Sequence, residues 1–107
     1  MMQYYTVDLD RMTTFSGRLD SEPYEVGWAD EAIAFVRVHD LKEGTKVSFH
    51  IQISPDGINW IDEGTPAKEM TTVGVDFLRV REFGGWLRLC IESHDECKVT
   101  TYLSLKG

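Results

Sequence analysis

Residues 45–60 read TKVSFHIQISPDGINW: side chains that alternate apolar and polar, then a turn, then a tryptophan. Val47, Phe49, Ile51 and Ile53 fall on one face of an extended chain, and Lys46, Ser48, His50 and Gln52 on the other. Successive side chains of a strand point to opposite faces, so this period predicts a half-buried antiparallel strand over Thr45–Ile53. Ser54-Pro55-Asp56-Gly57 then stops it. Pro55 presets φ for a turn corner, Asp56 can bond back to the backbone, and Gly57 supplies a left-handed residue. A hairpin corner is expected here, with Ser54, Asp56, Gly57 and Trp60 as its structural residues. A corner leaves the end of a core open to water. An indole at Trp60 can cover it, burying on the order of 200 Å². At ~25 cal/mol per Å² that stabilises by several kcal/mol before strain and entropy. The competing reading makes Trp60 a ligand platform.

The same period runs outward from this stretch. Glu31–His39 places Ala32, Ala34, Val36 and Val38 on one side and Ile33, Phe35, Arg37 and His39 on the other. Asp40-Leu41-Lys42-Glu43-Gly44 follows, and Gly44 suits a hairpin loop between the two strands. Gly85–Glu92 sets Leu87, Leu89 and Ile91 inward and Trp86, Arg88, Cys90 and Glu92 outward. Lys98–Lys106 sets Val99, Thr101, Leu103 and Leu105 against Thr100, Tyr102 and Ser104. The polar link Ser93-His94-Asp95-Glu96 predicts a hairpin between these last two strands. Gln3–Leu9, Thr13–Leu19, Tyr24–Trp28, Asn59–Glu63 and Lys68–Val75 are further expected strands, and Phe77–Glu82 is a loop or a short strand. Eight or nine short strands with regular turn signals predict an all-β chain: a single antiparallel β-sandwich, jelly-roll-like, spanning residues 1–107 as one domain. A closed barrel is the competing architecture. No internal repeat, low-complexity tract or linker interrupts the pattern.

The chain has 107 residues, is 42% apolar and 27% charged, and carries a formal net charge of −7. That composition is globular rather than disordered. Its acidity repels nucleic acid and anionic lipid, so neither is an expected partner. No apolar run approaches the roughly 18 residues of a membrane helix. Met1-Met2-Gln3-Tyr4-Tyr5-Thr6 has neither a basic start nor an apolar stretch. Synthesis in the cytoplasm without a signal peptide is therefore expected. With a turn at Ser93–Glu96, Cys97 would lie opposite Glu92 and Cys90 nearer Val99, so the two cysteines are expected as free thiols.

Three segments carry a resemblance. Ile51-Gln52-Ile53-Ser54-Pro55-Asp56-Gly57-Ile58-Asn59-Trp60 resembles the S-x-D-G-x-x-W hairpin of discoidin-like and carbohydrate-binding β-sandwich modules. The same hairpin occurs in small β-sandwich structural proteins of tailed-phage particles. There it often precedes segments like Trp86-Leu87-Arg88-Leu89 and Val99-Thr100-Thr101-Tyr102-Leu103, and here all three occur in that order. The resemblance implies a decoration, cement or tail accessory protein, located in a virion. Its partners would be protein subunits of a larger assembly, in a homo-oligomer or a lattice. The alternative it implies is a carbohydrate-binding module, with Trp28 and Trp60 as the glycan platform.

No constellation for catalysis stands out. His94, Asp95, Glu96 and Cys97 crowd one turn, where adjacent side chains diverge, whereas zinc sites use paired ligand spacings. Asp8 with Asp10, and Asp62 with Glu63, are surface carboxylates rather than a pair facing across a cleft. No G-x-S-x-G, G-x-G-x-x-G or P-loop occurs. The expectation is a non-enzyme without cofactor or metal. The chemistry-bearing residues that remain are aromatic and arginine side chains of the kind that anchor interfaces: Trp86, Arg88 and Tyr102 on outward faces, and Tyr4 and Tyr5 as an N-terminal arm.

Overall fold

The computed structural model describes residues 4–107, Tyr4 by its backbone alone. Eight strands follow in order: β1 (Tyr4–Asp20), β2 (Tyr24–Glu25), β3 (Glu31–Leu41), β4 (Val47–Ser54), β5 (Ile61–Asp62), β6 (Lys68–Met70), β7 (Gly74–Arg81) and β8 (Trp86–Lys106). All pairings are antiparallel. The fold is all-β and sandwich-like, as the alternating pattern predicts.

One sheet makes both layers of the sandwich. β8 has 21 residues; fully extended it would reach about 69 Å. The longest dimension of the molecule is 44 Å, so β8 must curl. Its first half pairs with β4, from Ser54↔Trp86 to Val47↔Ser93. Its second half pairs with β3, from Leu41↔Cys97 to Glu31↔Lys106. β1 follows the opposite side of β8 along both halves, from Tyr4↔Lys106 to Asp20↔Cys90. β5 and β6 line the outer side of β4, and β7 lines the outer side of β3. The first layer therefore holds β4, β5, β6, β2, the start of β8 and the end of β1. The second holds β3, β7, the end of β8 and the start of β1.

This arrangement corrects two expected hairpins. Ser93–Glu96 does not reverse the chain, because β8 runs through it as one strand. Asp40–Gly44 does not pair the strands beside it either: β3 and β4 are successive partners of β8, in different layers. Both polar stretches are bends. They lie level with each other and with the β1 irregularity at Phe15/Gly17 and the break at residues 71–73. Local hydrogen bonds hold the bend: Ser93 Oγ donates to the Asp95 carbonyl (2.7 Å), Thr45 Oγ1 to Asp95 Oδ2 (3.2 Å), and Thr45 N to the Lys42 carbonyl (3.0 Å). Gly44, at φ 86°, makes the tight turn. Polar residues that bond their own backbone favour bends whether or not the chain reverses.

The core lies between the folded halves. Val47, Phe49 and Ile51 of β4 and Leu87, Leu89 and Ile91 of β8 meet Ala32, Ala34, Val36 and Val38 of β3 and Val99, Leu103 and Leu105 of β8 in one apolar cluster. Trp60 is not in that cluster, so the expectation that it plugs the core end is not met. Both cysteines are free and buried. They sit on one strand, Cys90 beside His50 and Asp20, and Cys97 beside Leu41 and Phe15, not on the hairpin expected for them.

Candidate interaction surfaces

The SPDG hairpin is a polar cage. Ser54 Oγ accepts from the N–H of Gly57 (2.8 Å) and Asp56 (3.2 Å) and donates to Asp56 Oδ1 (2.9 Å). Asp56 Oδ1 also accepts from the N–H of Ile58 and Asn59, both at 2.9 Å, and Oδ2 from Asn59 Nδ2 at 2.8 Å. These donors, the Asn59 N–H foremost, hold the Asp56 carboxyl far below the usual carboxylate range. Ile53↔Ile61 closes the hairpin.

The hairpin folds back over the outer face of the first layer. Gly57 lies on the Trp86 ring: a Cβ built on it would sit 3.2 Å from Trp86 Cδ2, and its φ is +78°. Only glycine meets both demands without strain. The Arg88 guanidinium lies 4.6 Å from the Trp60 ring centroid, donates twice to Gln52 Oε1 (2.6 and 2.9 Å), and reaches Asp20 Oδ2 at 3.8 Å. Asp20 also accepts from Arg18 Nε (2.8 Å). Burial works to raise the Asp20 pKa, and the bonds from Arg18 and Cys90 outweigh it, so the net shift is downward. Beside them, Gln52 Nε2 (3.0 Å) and His50 Nε2 (3.3 Å) both reach Asp62 Oδ1. Burial, then the bond to Asp20, pushes the Cys90 thiol up to about 11, so it is protonated and unreactive at neutral pH. This network uses the donors of Arg88 inside the chain. Trp86, Arg88 and Trp60 are all half-buried.

Tyr102 belongs to a different exterior. The inward residues of both halves of β8 line one core; their outward neighbours therefore look away in opposite directions. Tyr102 pairs with Phe35 on one side and Asp8 on the other, in the second layer. The structure thus separates Tyr102 from Trp86 and Arg88. Tyr5 is 49% exposed and stacks on Tyr24, with centroids 6.4 Å apart and an angle of 25°. With Pro23, Glu25 and Trp28, these rings line a shallow groove of about 470 Å³. Trp28 is 42% exposed. The backbone of the Tyr4-Tyr5 arm pairs with Lys106 and Leu105 of its own chain; the Tyr4 side chain lies outside the described residues. A larger open groove, about 720 Å³, runs past Glu31, Arg81, Phe83 and Gly107. Its Glu31 and Arg81 already face each other at 3.6 Å.

Sequence reasoning missed the free edge of the second layer. On the outer face of β7, Val75 is 60% and Phe77 38% exposed, and Val73 just before it 59%. Phe77 touches Phe35 across the strand pair (centroids 6.1 Å). Lys68 Nζ lies 4.7 Å and Arg79 Cζ 5.7 Å from the Phe77 centroid. The signal was present in GVDFLRVR, residues 74–81, whose outward positions carry Val75, Phe77, Arg79 and Arg81. Breaking the strand at Asp76 hid it.

Among the described residues, no group of three or more His, Cys, Asp or Glu could hold a metal ion, and no helix is long and apolar enough to cross a membrane. No curated protein matches the sequence. Solved structures share the fold. A prophage-derived protein of SPBc2, YomS, superposes with a TM-score of 0.67 at 7% identity, covering 100% of this chain and 96% of that one. A protein of the Bacillus endospore appendages, a family of disulfide-linked pili, gives 0.56 at 12% identity, covering 99% and 84%. VP2 of the infectious bursal disease virus subviral particle gives 0.62 at 12% identity; 98% of this chain is covered but only 32% of the viral one. At such identities the likeness is one of fold. In sequence, residues 41–106 match a family model. That span runs from the last residue of β3 through the hairpin cage to the end of β8, more than half of the chain, and on it the protein belongs to the family described as a domain of unknown function, DUF6385.

Proposed function

We propose that this chain is a non-catalytic structural protein that works by assembling: it binds neighbouring protein subunits through an exposed sheet face or edge, as a phage virion decoration or accessory protein would. The observation that carries the reading is the apolar β7 edge, unpaired among the described residues, with Val73, Val75 and Phe77 exposed around it. An exposed, hydrophobic strand edge is a template for pairing with another chain. The fold is shared with a prophage protein, a pilus protein and a viral VP2, which supports the reading at the level of architecture. Repetition on a particle would strengthen weak contacts through effective concentration. Density-gradient fractionation of producing cells tests it, with the chain followed by antibody and fractions viewed by electron microscopy. The expected result is co-migration with particles. A chain that stays at the top of the gradient while particles sediment would overturn it.

A second reading rests on the Tyr5, Tyr24 and Trp28 groove. Exposed rings beside a carboxylate are the chemistry of a sugar platform. Trp60, the other platform residue expected from sequence, has its ring covered by Arg88. Soluble oligosaccharides titrated against tryptophan fluorescence, with Trp28→Ala as the control, decide it: a saturable change lost in the variant supports a glycan site.

A further inference from the structure

We infer that two copies of this chain pair antiparallel, β7 against β7, joining their second layers into one continuous sheet. The inference rests on the assembly reading above and names its contact. β7 pairs with β3 in unbroken register, from Val38↔Gly74 to Glu31↔Arg81. Among the described residues no strand pairs with its other side. It has no proline and no bulge along its eight residues. One local cap exists, where the Phe77 N–H donates to its neighbour Asp76 Oδ1 (2.8 Å); pairing exchanges that bond for one between chains.

A second copy is the occupant because the edge can face itself with no like charges opposed. Its charges are matched inside the chain: Glu31 takes Arg79 (2.9 Å) and Arg81 (3.6 Å), and Asp76 takes Lys68 (3.2 Å). In an antiparallel pair, residues directly opposite share a face. Of the registers that keep the outer faces flush, those centred on Phe77 or Leu78 pair the most of β7. Centred on Phe77, Arg79 meets Val75 and Arg81 meets Val73 of the other copy. Centred on Leu78, Arg79 meets Phe77 and Arg81 meets Val75. No arginine opposes an arginine in either, and Arg79 already lies beside Phe77 within one chain (5.7 Å). The β1 edge is a poor partner. Its ladder shifts at Asp8/Asp10, Asp10/Thr13 and Phe15/Gly17, and bulges of this kind terminate pairing. A β7–β7 contact is isologous and closes at two copies.

Sedimentation equilibrium of the full chain over a range of concentrations tests the pairing, beside Val75→Lys and, on the other edge, Thr6→Lys. Circular dichroism confirms that each variant folds. The expected result is a monomer–dimer equilibrium that Val75→Lys weakens at least about tenfold and Thr6→Lys leaves unchanged. A monomer at every concentration overturns the inference, and so does a dimer insensitive to Val75→Lys. Open-ended growth, or equal loss with Thr6→Lys, overturns it in favour of a head-to-tail contact. A monomer that nevertheless co-migrates with particles would remove the β7 pair and leave the assembly reading standing.

Discussion

The β1 and β7 edges of the curled sheet are built differently. Along β1 the ladder is broken three times, and threonine hydroxyls of β8 fill two of the gaps. Thr101 Oγ1 accepts from Asp10 N (2.9 Å) and donates to Asp10 Oδ2 (3.1 Å), and Thr100 Oγ1 accepts from Met12 N (3.0 Å). Thr100 Oγ1 also meets His39 Nε2 at 2.7 Å. Met12 takes a left-handed φ of 48° to follow the bulge. Along β7 the ladder is regular and the outer face apolar. The difference teaches that one sheet can blunt one of its edges with bulges and keep another regular.

The largest perturbation should strike what both edges share. Leu103 is fully buried on β8, paired with Val7 of β1 and Ala34 of β3. Leu103→Ala should cost about 2–5 kcal/mol in urea unfolding, with hydrogen exchange rising in both β1 and β7. A change confined to one edge would show that the two are not held by a common core.

Thr101→Val separates the edges. It removes a buried hydroxyl and leaves Asp10 without two of its bonds, for a cost of about 1–3 kcal/mol. Amide exchange should quicken at residues 8–13 and stay unchanged at 74–81. Equal quickening on β7 would mean that the threonines do not serve β1 alone. Smaller still is the intrachain effect of Val75→Lys, within about 0.5 kcal/mol at low concentration, because that side chain is 60% exposed. A larger loss would show that the β7 face is packed within the chain.

The smallest effect is a difference of sign with pH. Burial raises the Asp10 pKa in spite of the bond from Thr101. Its contribution is therefore full below the ordinary value of 3.8 and lost as pH rises through the folded value. Asp56 is lowered, so the hairpin cage contributes above 3.8 and loses strength as pH falls below it. Carboxyl chemical shifts followed by NMR should place the Asp10 midpoint above 3.8 and that of Asp56 well below. The reverse order would show that the bulge and the cage are not built as described.

What was legible in the sequence follows from period and punctuation. Inward and outward faces of β3, β4 and both halves of β8 follow from alternation, because the inward apolar residues meet the same core. The SPDG hairpin follows from Ser54, Asp56 and Gly57, whose chemistry is local. The bends at residues 40–46 and 93–97 carry the same signals as hairpins, and local chemistry cannot say whether a chain that turns also reverses. Only the neighbour across the ladder decides that. For the same reason the reading of Trp60 as a core plug fails: its place depends on Arg88, far along the chain. The β7 edge was hidden because Asp76 splits GVDFLRVR into two short apolar runs, and only pairing with β3 carries the strand through it.

β8 pairs with β1, β2, β3 and β4, and this sets the order of events during synthesis. Until residues 86–106 have left the ribosome, neither layer has its central strand, and among the described residues β1 has no strand to pair with. The nascent chain therefore carries its greasy surfaces uncovered, with no stable half-structure to shelter them. Folding should then be slow and all-or-none, since most of its ladders join distant parts of the chain.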